Sequence, residues 1–176
     1  MAINLPDLPH AVNAYLDTKV KVTVRDIHPG SGSGTVINPN DTFTFNVHVA
    51  NASAANGGVA LTNLRYQVSI HPATGSHEDA SIQVPSGRTA IDGSGHPIGV
   101  GTFVKFFTFN PSGDVPSYLD VGGVHAIQIT GKASPGAAGG NAIITANIQA
   151  DPDINALFPR NGNSTGGTET VTAVPI

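Results

Sequence analysis

Strict alternation between apolar and polar residues is the feature that most constrains this fold. In KVKVTVR, residues 19–25, every second residue is valine, and Lys, Thr or Arg stands between the valines. Residues 42–49 (TFTFNVHV) and 63–70 (NLRYQVSI) repeat the pattern with Phe, Val, Leu, Tyr and Ile. Successive side chains of a β-strand point to opposite faces, so each segment predicts a half-buried strand.

The rest of the chain supplies further predicted strands, which are residues 81–85, 102–110, 124–130, 141–149 and 169–174. We expect residues 124–130 and 141–149 to pair with each other across a flexible Gly- and Ala-rich connection. Pro85 ends the first of these strands, and residues 86–101 are predicted to form a long loop. Seven to eight strands with almost no helix predict an all-β, antiparallel immunoglobulin-like β-sandwich.

One domain is expected, because 176 residues bury a sufficient core without help. We predict an N-terminal arm over residues 1–17, with a short helix near Leu8 to Leu16, and a single β-sandwich domain over residues 18–176. One further helical turn is expected after Asp151. The chain has no Cys, which excludes disulfides, thiolate metal sites and a cysteine nucleophile.

Charge and hydropathy argue against a nucleic-acid partner and against a membrane span. The 8 Lys and Arg residues are scattered and the formal net charge is −4, so no basic face is predicted. No apolar run approaches the roughly 18 residues that span a bilayer. The first residues lack the basic and apolar regions of a secretory signal peptide, so we expect none.

Residues 24–70 resemble the immunoglobulin-like modules of bacterial surface proteins, of the CARDB and related kinds. In those modules an apolar strand ends in an Asn-containing turn, and a second Asn introduces the next strand. The matching residues here are Val47, Val49, Asn51, Leu61, Asn63 and Val68. The resemblance covers about a quarter of the chain. It implies a non-catalytic structural or adhesive role.

Two polar segments contain residue types that bind metal ions. His71 and the run His77, Glu78 and Asp79 match no ligand spacing, and a solvated loop is the preferred interpretation.

In the second segment, Asp151, Asp153 and Asn155 imitate the start of a calcium loop. The Gly and Glu that such a loop carries at its sixth and twelfth positions are replaced by Ala156 and Gly162. These three residues remain calcium candidates for a looser loop site, and otherwise no cofactor is predicted.

The Phe-rich segment, residues 102–110, is the feature that hints at a partner. Phe103, Phe107 and Phe109 fall on one face of a strand, and Val104 and Phe106 fall on the other. A strand that is apolar on both faces must be covered on both. The cover comes either from the loop over residues 86–101 or from a neighbouring subunit, in which case Val104 and Phe106 are interface residues.

No enzymatic motif is visible, since GSGSG at residues 30–34 leads into no helix and no G-x-S-x-G elbow occurs. We therefore predict a non-enzymatic structural or interaction protein that forms homo-oligomers or decorates a virion or an extracellular surface. One alternative is a carbohydrate- or calcium-dependent binding module that uses Tyr118, Asp120, Asp151 and Asp153. The other is a hydrolase assembled from loops.

Overall fold

A computed structural model describes residues 15–30, 36–73, 80–86, 89–110, 118–134, 141–152 and 164–175. These ranges contain twelve strands: β1 (Val20–Pro29), β2 (Thr42–Asn51), β3 (Leu61–Pro72), β4 (Ala80–Gln83), β5 (Thr89–Ile91), β6 (Pro97–Ile98), β7 (Phe103–Val104), β8 (Phe106–Asn110), β9 (Tyr118–Leu119), β10 (Val124–Ala133), β11 (Asn141–Pro152) and β12 (Ser164–Pro175). Eight of them have four residues or more, which agrees with the seven to eight strands expected.

The strands form two antiparallel sheets. The five-stranded sheet has the order β1-β2-β10-β4-β7. The seven-stranded sheet has the order β12-β11-β3-β8-β5-β6, with β9 paired to β3. Buried apolar residues from both sheets belong to one hydrophobic core. The predicted all-β sandwich is therefore confirmed.

The alternation seen in the sequence decides which side chains enter the core. Every second residue of β2 from Phe43 to Val49 is fully buried, and β3 buries Leu64, Tyr66, Val68 and Ile70 in the same way. The rings of Phe43 and Phe45 stack 6.1 Å apart. Each fully buried side chain of this size contributes about 1.5–3 kcal/mol, so these two strands account for much of the stability of the sandwich.

The expected pairing of residues 124–130 with residues 141–149 is wrong. Strand β10 pairs with β2 and β4, whereas β11 pairs with β3 and β12 in the other sheet. Alternation specifies which face of a strand is buried and leaves the neighbouring strand open. Proximity in the sequence therefore suggested the wrong partner.

The long loop expected over residues 86–101 is also wrong in part, since β5 and β6 form a short hairpin within it. The turn of this hairpin is held by Asp92, whose Oδ1 accepts hydrogen bonds from the amides of Ser94 and His96 at 2.8 and 2.9 Å. These amide donors lower the pKa of the Asp92 carboxyl. An Asp side chain that bonds its own backbone two residues on is a usual turn device.

The Phe-rich segment does not form one strand. It breaks at Lys105 into β7, which pairs with β4, and β8, which pairs with β3 in the opposite sheet. The carbonyl of Lys105 accepts from the amide of Ile70 at 2.9 Å, and its Nζ donates to the carbonyl of Ala80. Lys105 thus forms hydrogen bonds with both sheets at the point where the chain passes from one sheet to the other.

The residues that precede β1 already contribute to the hydrophobic core. Residues 15–19 are helical, and Leu16 is fully buried in the hydrophobic core. Residues 8–14 of the predicted helix lie outside the described residues, and the boundary at residue 17 stays a prediction. None of the helical segments described has the length and hydrophobicity that crossing a bilayer requires.

Candidate functional site

The two edges of β10 are paired to very different extents. Toward β2, the ladder runs without a break from Val124 to Lys132. Toward β4, pairing covers only the stretch from Gly131 to Ala133. In the described part of the chain, the earlier residues of β10 thus have no strand paired along this second edge.

The hydrogen-bond pattern identifies the main-chain groups that face the open side. The amide of Ala133 donates to the carbonyl of Asp41, and the carbonyl of Gly123 accepts from the amide of Asn51, both at 2.9 Å. In an antiparallel ladder alternate residues bond to the same neighbour, so the odd-numbered residues of β10 bond to β2. The amides and carbonyls of Ala126 and Gln128 therefore point away from β2, toward the gap.

Pro85 explains why β4 stops pairing with β10. Continuing the register from Ile82 opposite Gly131 would place Pro85 opposite Gln128. Proline has no amide to donate, so the ladder cannot continue there. The chain turns toward β7 instead, since the amide of Val84 donates to the carbonyl of Thr102 at 2.9 Å and its carbonyl accepts from Gly101 at 3.0 Å.

The gap is a cleft of about 520 Å³ between β4 and β10. Its floor consists of the buried side chains of Val84, Phe109, Ile127 and Ile129. Phe109 belongs to the seven-stranded sheet, so the cleft extends through the first sheet to the space between the two. The cleft therefore lies above side chains that are already buried, beside the main chain of β10.

The rim of the cleft carries amide and hydroxyl groups. Gln83, Ser86, Gln128 and Thr130 contribute the polar side chains, and Gln83 Nε2 donates to the carbonyl of Gly101 at 3.1 Å. All the described side chains that line the cleft are uncharged. The arrangement offers hydrogen bonds and apolar contact, and its polarity suits an uncharged ligand.

Tyr66 packs against Phe109, the aromatic residue of the floor, from within the core. Tyr66 stacks on Phe109 with ring centroids 5.4 Å apart. Its hydroxyl lies 2.6 Å from Nδ1 of His125, the residue that precedes Ala126 on β10. This contact joins the two sheets next to the cleft, so Tyr66 fixes both the floor and the open strand.

A second polar cluster closes one end of the sandwich. Asn51 Nδ2 donates to the carbonyls of Val59 and Asp120 at 2.7 and 3.1 Å. The hydroxyl of Tyr15 lies 2.8 Å from Asn51 Oδ1 and accepts from the amide of Val59 at 2.8 Å. Asn51 is buried, and its groups are engaged in joining the N-terminal turn, β2 and two loops. The role of this cluster is structural.

The predicted interface residues lie in different sheets. Val104 on β7 is partly buried and packs against the core. Phe106 on β8 is half-buried, and a methyl group on Gly93 would lie 4.0 Å from its ring. A partner interface at Val104 and Phe106 stays a prediction. Exposed apolar side chains at this edge of the sheet belong to Val100, at 54%, and Phe103, at 38%.

The calcium candidates are only partly described. Asp151 lies on β11 opposite Thr62 of β3, whereas Asp153 and Asn155 lie outside the described residues. His71 is exposed at the end of β3, and His77, Glu78 and Asp79 also lie outside the described ranges. No group of three or more His, Asp or Glu residues suited to a metal ion occurs among the residues described.

Of the residues proposed for a carbohydrate site, Tyr118, Asp120 and Asp151 are described and Asp153 lies outside the described residues. Tyr118 is 60% exposed, and its hydroxyl donates to Asp120 Oδ1 at 3.3 Å. Tyr118 pairs with Thr62, which also pairs with Asp151 on its other side. Asp120 Oδ1 accepts in addition from the amide of Val121 at 2.7 Å. Tyr118, Thr62 and Asp151 therefore form a row across β9, β3 and β11, and Asp120 follows β9 in the sequence.

Sequence reasoning missed the residues that build the cleft. Ala126 and Gln128 look like ordinary outward positions of an alternating strand, because their main-chain exposure depends on which strand lies beside them. The one signal in the sequence was Pro85, which correctly marked the end of a strand. It did not show that β10 would be the strand left open.

No protein-family model and no curated protein matches the chain. Among solved structures, it is similar to AvmM, which catalyses macrocyclization in alchivemycin A biosynthesis, with 14% identity, a TM-score of 0.46 and 89% of each chain covered. It is also similar to the sporulation control protein Spo0M of Bacillus subtilis, with 11% identity and a TM-score of 0.37, covering 87% of this chain and 48% of Spo0M. A family 123 glycoside hydrolase from Clostridium perfringens has 11% identity and a TM-score of 0.38, with 88% of this chain and 27% of the hydrolase covered. These likenesses concern the fold alone.

Proposed function

We propose that this chain is a non-enzymatic structural or interaction β-sandwich protein that binds other protein chains through the cleft between β4 and β10. It assembles with copies of itself or decorates a larger particle, such as a virion or a cell surface. The observation that carries this proposal is the main chain of Ala126 and Gln128, which pairs with no strand of the described residues on the side of the cleft. Such an edge is suited to receive another chain.

The contrast with the outer edge of the same sheet supports a functional reading of the cleft. Natural sheets protect their edges with bulges and polar or charged side chains. Strand β1 does so, since its register shifts between Arg25 and His28, Asp26 has a positive φ of 57° and Asn46 Nδ2 donates to Asp26 Oδ2 at 3.0 Å. The edge at Ala126 and Gln128 has no comparable device.

The chemistry of the lining supports binding as its role. Amides, hydroxyls and apolar groups orient and desolvate a ligand, whereas acid–base catalysis uses ionisable side chains close to the reacting atoms. The exposed Val100 and Phe103 lie beside the cleft on the β7 side and extend its apolar surface. The resemblance of residues 24–70 to CARDB-like modules points to the same structural role.

Light scattering over a range of protein concentrations tests the self-assembly. We expect a mass above that of the monomer at high concentration. Val100→Asp should restore the monomer because it places a charge on the apolar rim, and Val100→Thr should not. Val100 is exposed, so neither change is expected to alter the fold. A monomeric mass at every concentration would contradict self-assembly.

A carbohydrate- or calcium-dependent module is the second candidate, favoured by the row of Tyr118, Thr62 and Asp151 and by the contact of Tyr118 with Asp120. An ion that binds only the native state raises its melting temperature. A calcium-dependent rise that is lost in Asp120→Asn would support this candidate. An unchanged melting temperature would remove its calcium-dependent form.

A further inference from the structure

We infer that Asn56 is a site of spontaneous covalent modification, where the side-chain amide is lost through a cyclic succinimide formed with Gly57. The ammonium group of Lys19 promotes the reaction, and water is the only other reactant. The inference goes beyond the proposed function and does not depend on it, because none of these three residues lines the cleft.

Asn56 lies in an open turn between β2 and β3. It ends a short 3-10 helix, Ala54–Asn56, and is exposed. Gly57 follows with a φ of 77°, in the left-handed region that glycine adopts without strain. Because Gly57 has no side chain, nothing attached to its α-carbon hinders the approach of its backbone nitrogen to Cγ of Asn56.

The reaction begins at the backbone nitrogen of Gly57. This nitrogen gives up its proton and attacks Cγ of Asn56, so that a new N–C bond closes a five-membered ring. The bond between Cγ and Nδ2 breaks, and ammonia leaves with the proton. Water then opens the ring at either carbonyl, and residue 56 becomes an aspartate that is joined to Gly57 through its α- or its β-carbonyl. No oxidant or reductant takes part.

Ser53 lies beside the group that leaves. Nδ2 of Asn56 donates to Ser53 Oγ at 3.1 Å. A hydroxyl both accepts and donates hydrogen bonds, so the same oxygen is placed to return a proton to the departing nitrogen.

Lys19 assists the loss of the proton from Gly57. Its Nζ donates to the backbone carbonyl of Asn56 at 2.7 Å. This carbonyl and the Gly57 nitrogen belong to one peptide group, so the negative charge left on the nitrogen is shared with the oxygen that Lys19 contacts. A cation at this oxygen stabilises the charged form. A methyl group on Gly57 would lie 3.5 Å from the same Nζ, which places the cation beside the whole peptide group.

A hydrogen bond within the turn limits the rate. The amide of Gly57 donates to the carbonyl of Ala54 at 3.1 Å, and the nitrogen cannot attack while this bond holds. The 3-10 helix contains no buried residue, so the turn opens locally without unfolding of the sandwich. Lys19 reaches the turn from the residue before β1, so its contact does not depend on the bond to Ala54.

Peptide mapping by mass spectrometry tests the inference on the intact chain after incubation at neutral pH. We expect the mass gain that accompanies replacement of NH2 by OH at residue 56, with both the α- and the β-linked product present. The sequence contains a second Asn-Gly pair, Asn161–Gly162, whose conversion in the same sample is an internal reference for buffer and temperature.

Variants of Lys19 separate the site from its promotion. Lys19→Met should slow conversion of residue 56 about threefold relative to residue 161, the size expected for an exposed charge contact. Lys19→Arg keeps the cation and should retain most of the rate. Lys21→Met is the matched control, because it removes an exposed charge of β1 two residues away and should leave the rate unchanged.

No conversion at residue 56 would overturn the modification site. An unchanged or faster rate in Lys19→Met, or equal losses in Lys19→Met and Lys21→Met, would overturn the role of Lys19. Each of these outcomes is read from the monomer as well as from an assembled chain, so failure here is distinguishable from failure of the proposed function.

Discussion

The two edges of β10 show how one alternating strand acquires two different roles. Its edge toward β2 is paired from Val124 to Lys132, and its inward residues Ile127 and Ile129 complete the core. Its edge toward β4 is paired only from Gly131 to Ala133. The side-chain pattern is the same along both edges. The difference arises from the segment beside β10, because at Pro85 the chain turns away from β10 toward β7.

The largest expected effect compares prolines at adjacent positions of β10. Ile127→Pro removes an amide that bonds to Val47 of β2, and should lower the free energy of unfolding by about 2–4 kcal/mol beyond the cost of Ile127→Ala. Gln128→Pro should cost less than about 1 kcal/mol beyond Gln128→Ala, because its amide faces the cleft. Urea denaturation measures both differences. Equal costs would mean that the two edges are equivalent.

The paired edge also depends on a close contact at Gly131. A methyl group there would approach the ring of Phe43 to 2.2 Å, since the two residues lie opposite each other. Gly131→Ala should therefore destabilise the chain by about 2 kcal/mol through overpacking. Adding Phe43→Leu should recover part of this loss, as thermal denaturation of the double variant would reveal. Additive losses would show that the ring is not the cause.

Closing the cleft should cost little stability. Pro85→Thr supplies an amide opposite Gln128 and allows β4 to pair further along β10. The added ladder bond and the greater freedom of the unfolded chain should nearly cancel, with a net change below about 1 kcal/mol. Assembly should weaken, because the strand position is now occupied. Unchanged assembly of a stably folded Pro85→Thr variant would argue that the partner chain does not bind beside Gln128.

The smallest effect concerns His48 on the outer face of β2. Partial burial and the charge of Arg25 lower the pKa of its imidazole below 6.5, against an opposite effect of Asp26. The unfolded chain binds this proton more readily, so stability should decrease as the pH falls from about 6.5 through the lower pKa of the folded state. Arg25→Gln should raise the pKa of His48 in an NMR titration. An unmoved titration curve would exclude the guanidinium as a cause.

The sequence was sufficient to predict the buried faces of the sandwich. Val22, Phe45, Tyr66 and Ile70 all point inward as their alternation requires, because the pleat of a strand fixes that geometry locally. Strand pairing depends on residues far away in the sequence. The prediction that residues 124–130 pair with residues 141–149 is wrong because alternation carries no information about the neighbouring strand. The change of sheet at Lys105 was marked only by one charged residue within an apolar run.

The candidate site was less predictable than the fold. Its polar groups are main-chain atoms of Ala126 and Gln128, which any residue except proline supplies. Their availability depends on the absence of a paired strand among the described residues, and that absence follows from the path of the chain at Pro85. A site built from side chains, such as the row at Tyr118 and Asp120, leaves a sequence signal that a main-chain site does not.

Amide hydrogen exchange along β10, measured where the chain is monomeric, tests the central claim most directly. The amides of Ile127 and Ile129 bond to β2 and should exchange slowly, whereas those of Ala126 and Gln128 should exchange at least about a hundredfold faster. Raising the protein concentration until the chain assembles should then protect Ala126 and Gln128 and leave the odd-numbered amides unchanged. Uniformly slow exchange along β10 in the free chain would contradict the account, because it would mean that both edges of the strand are paired.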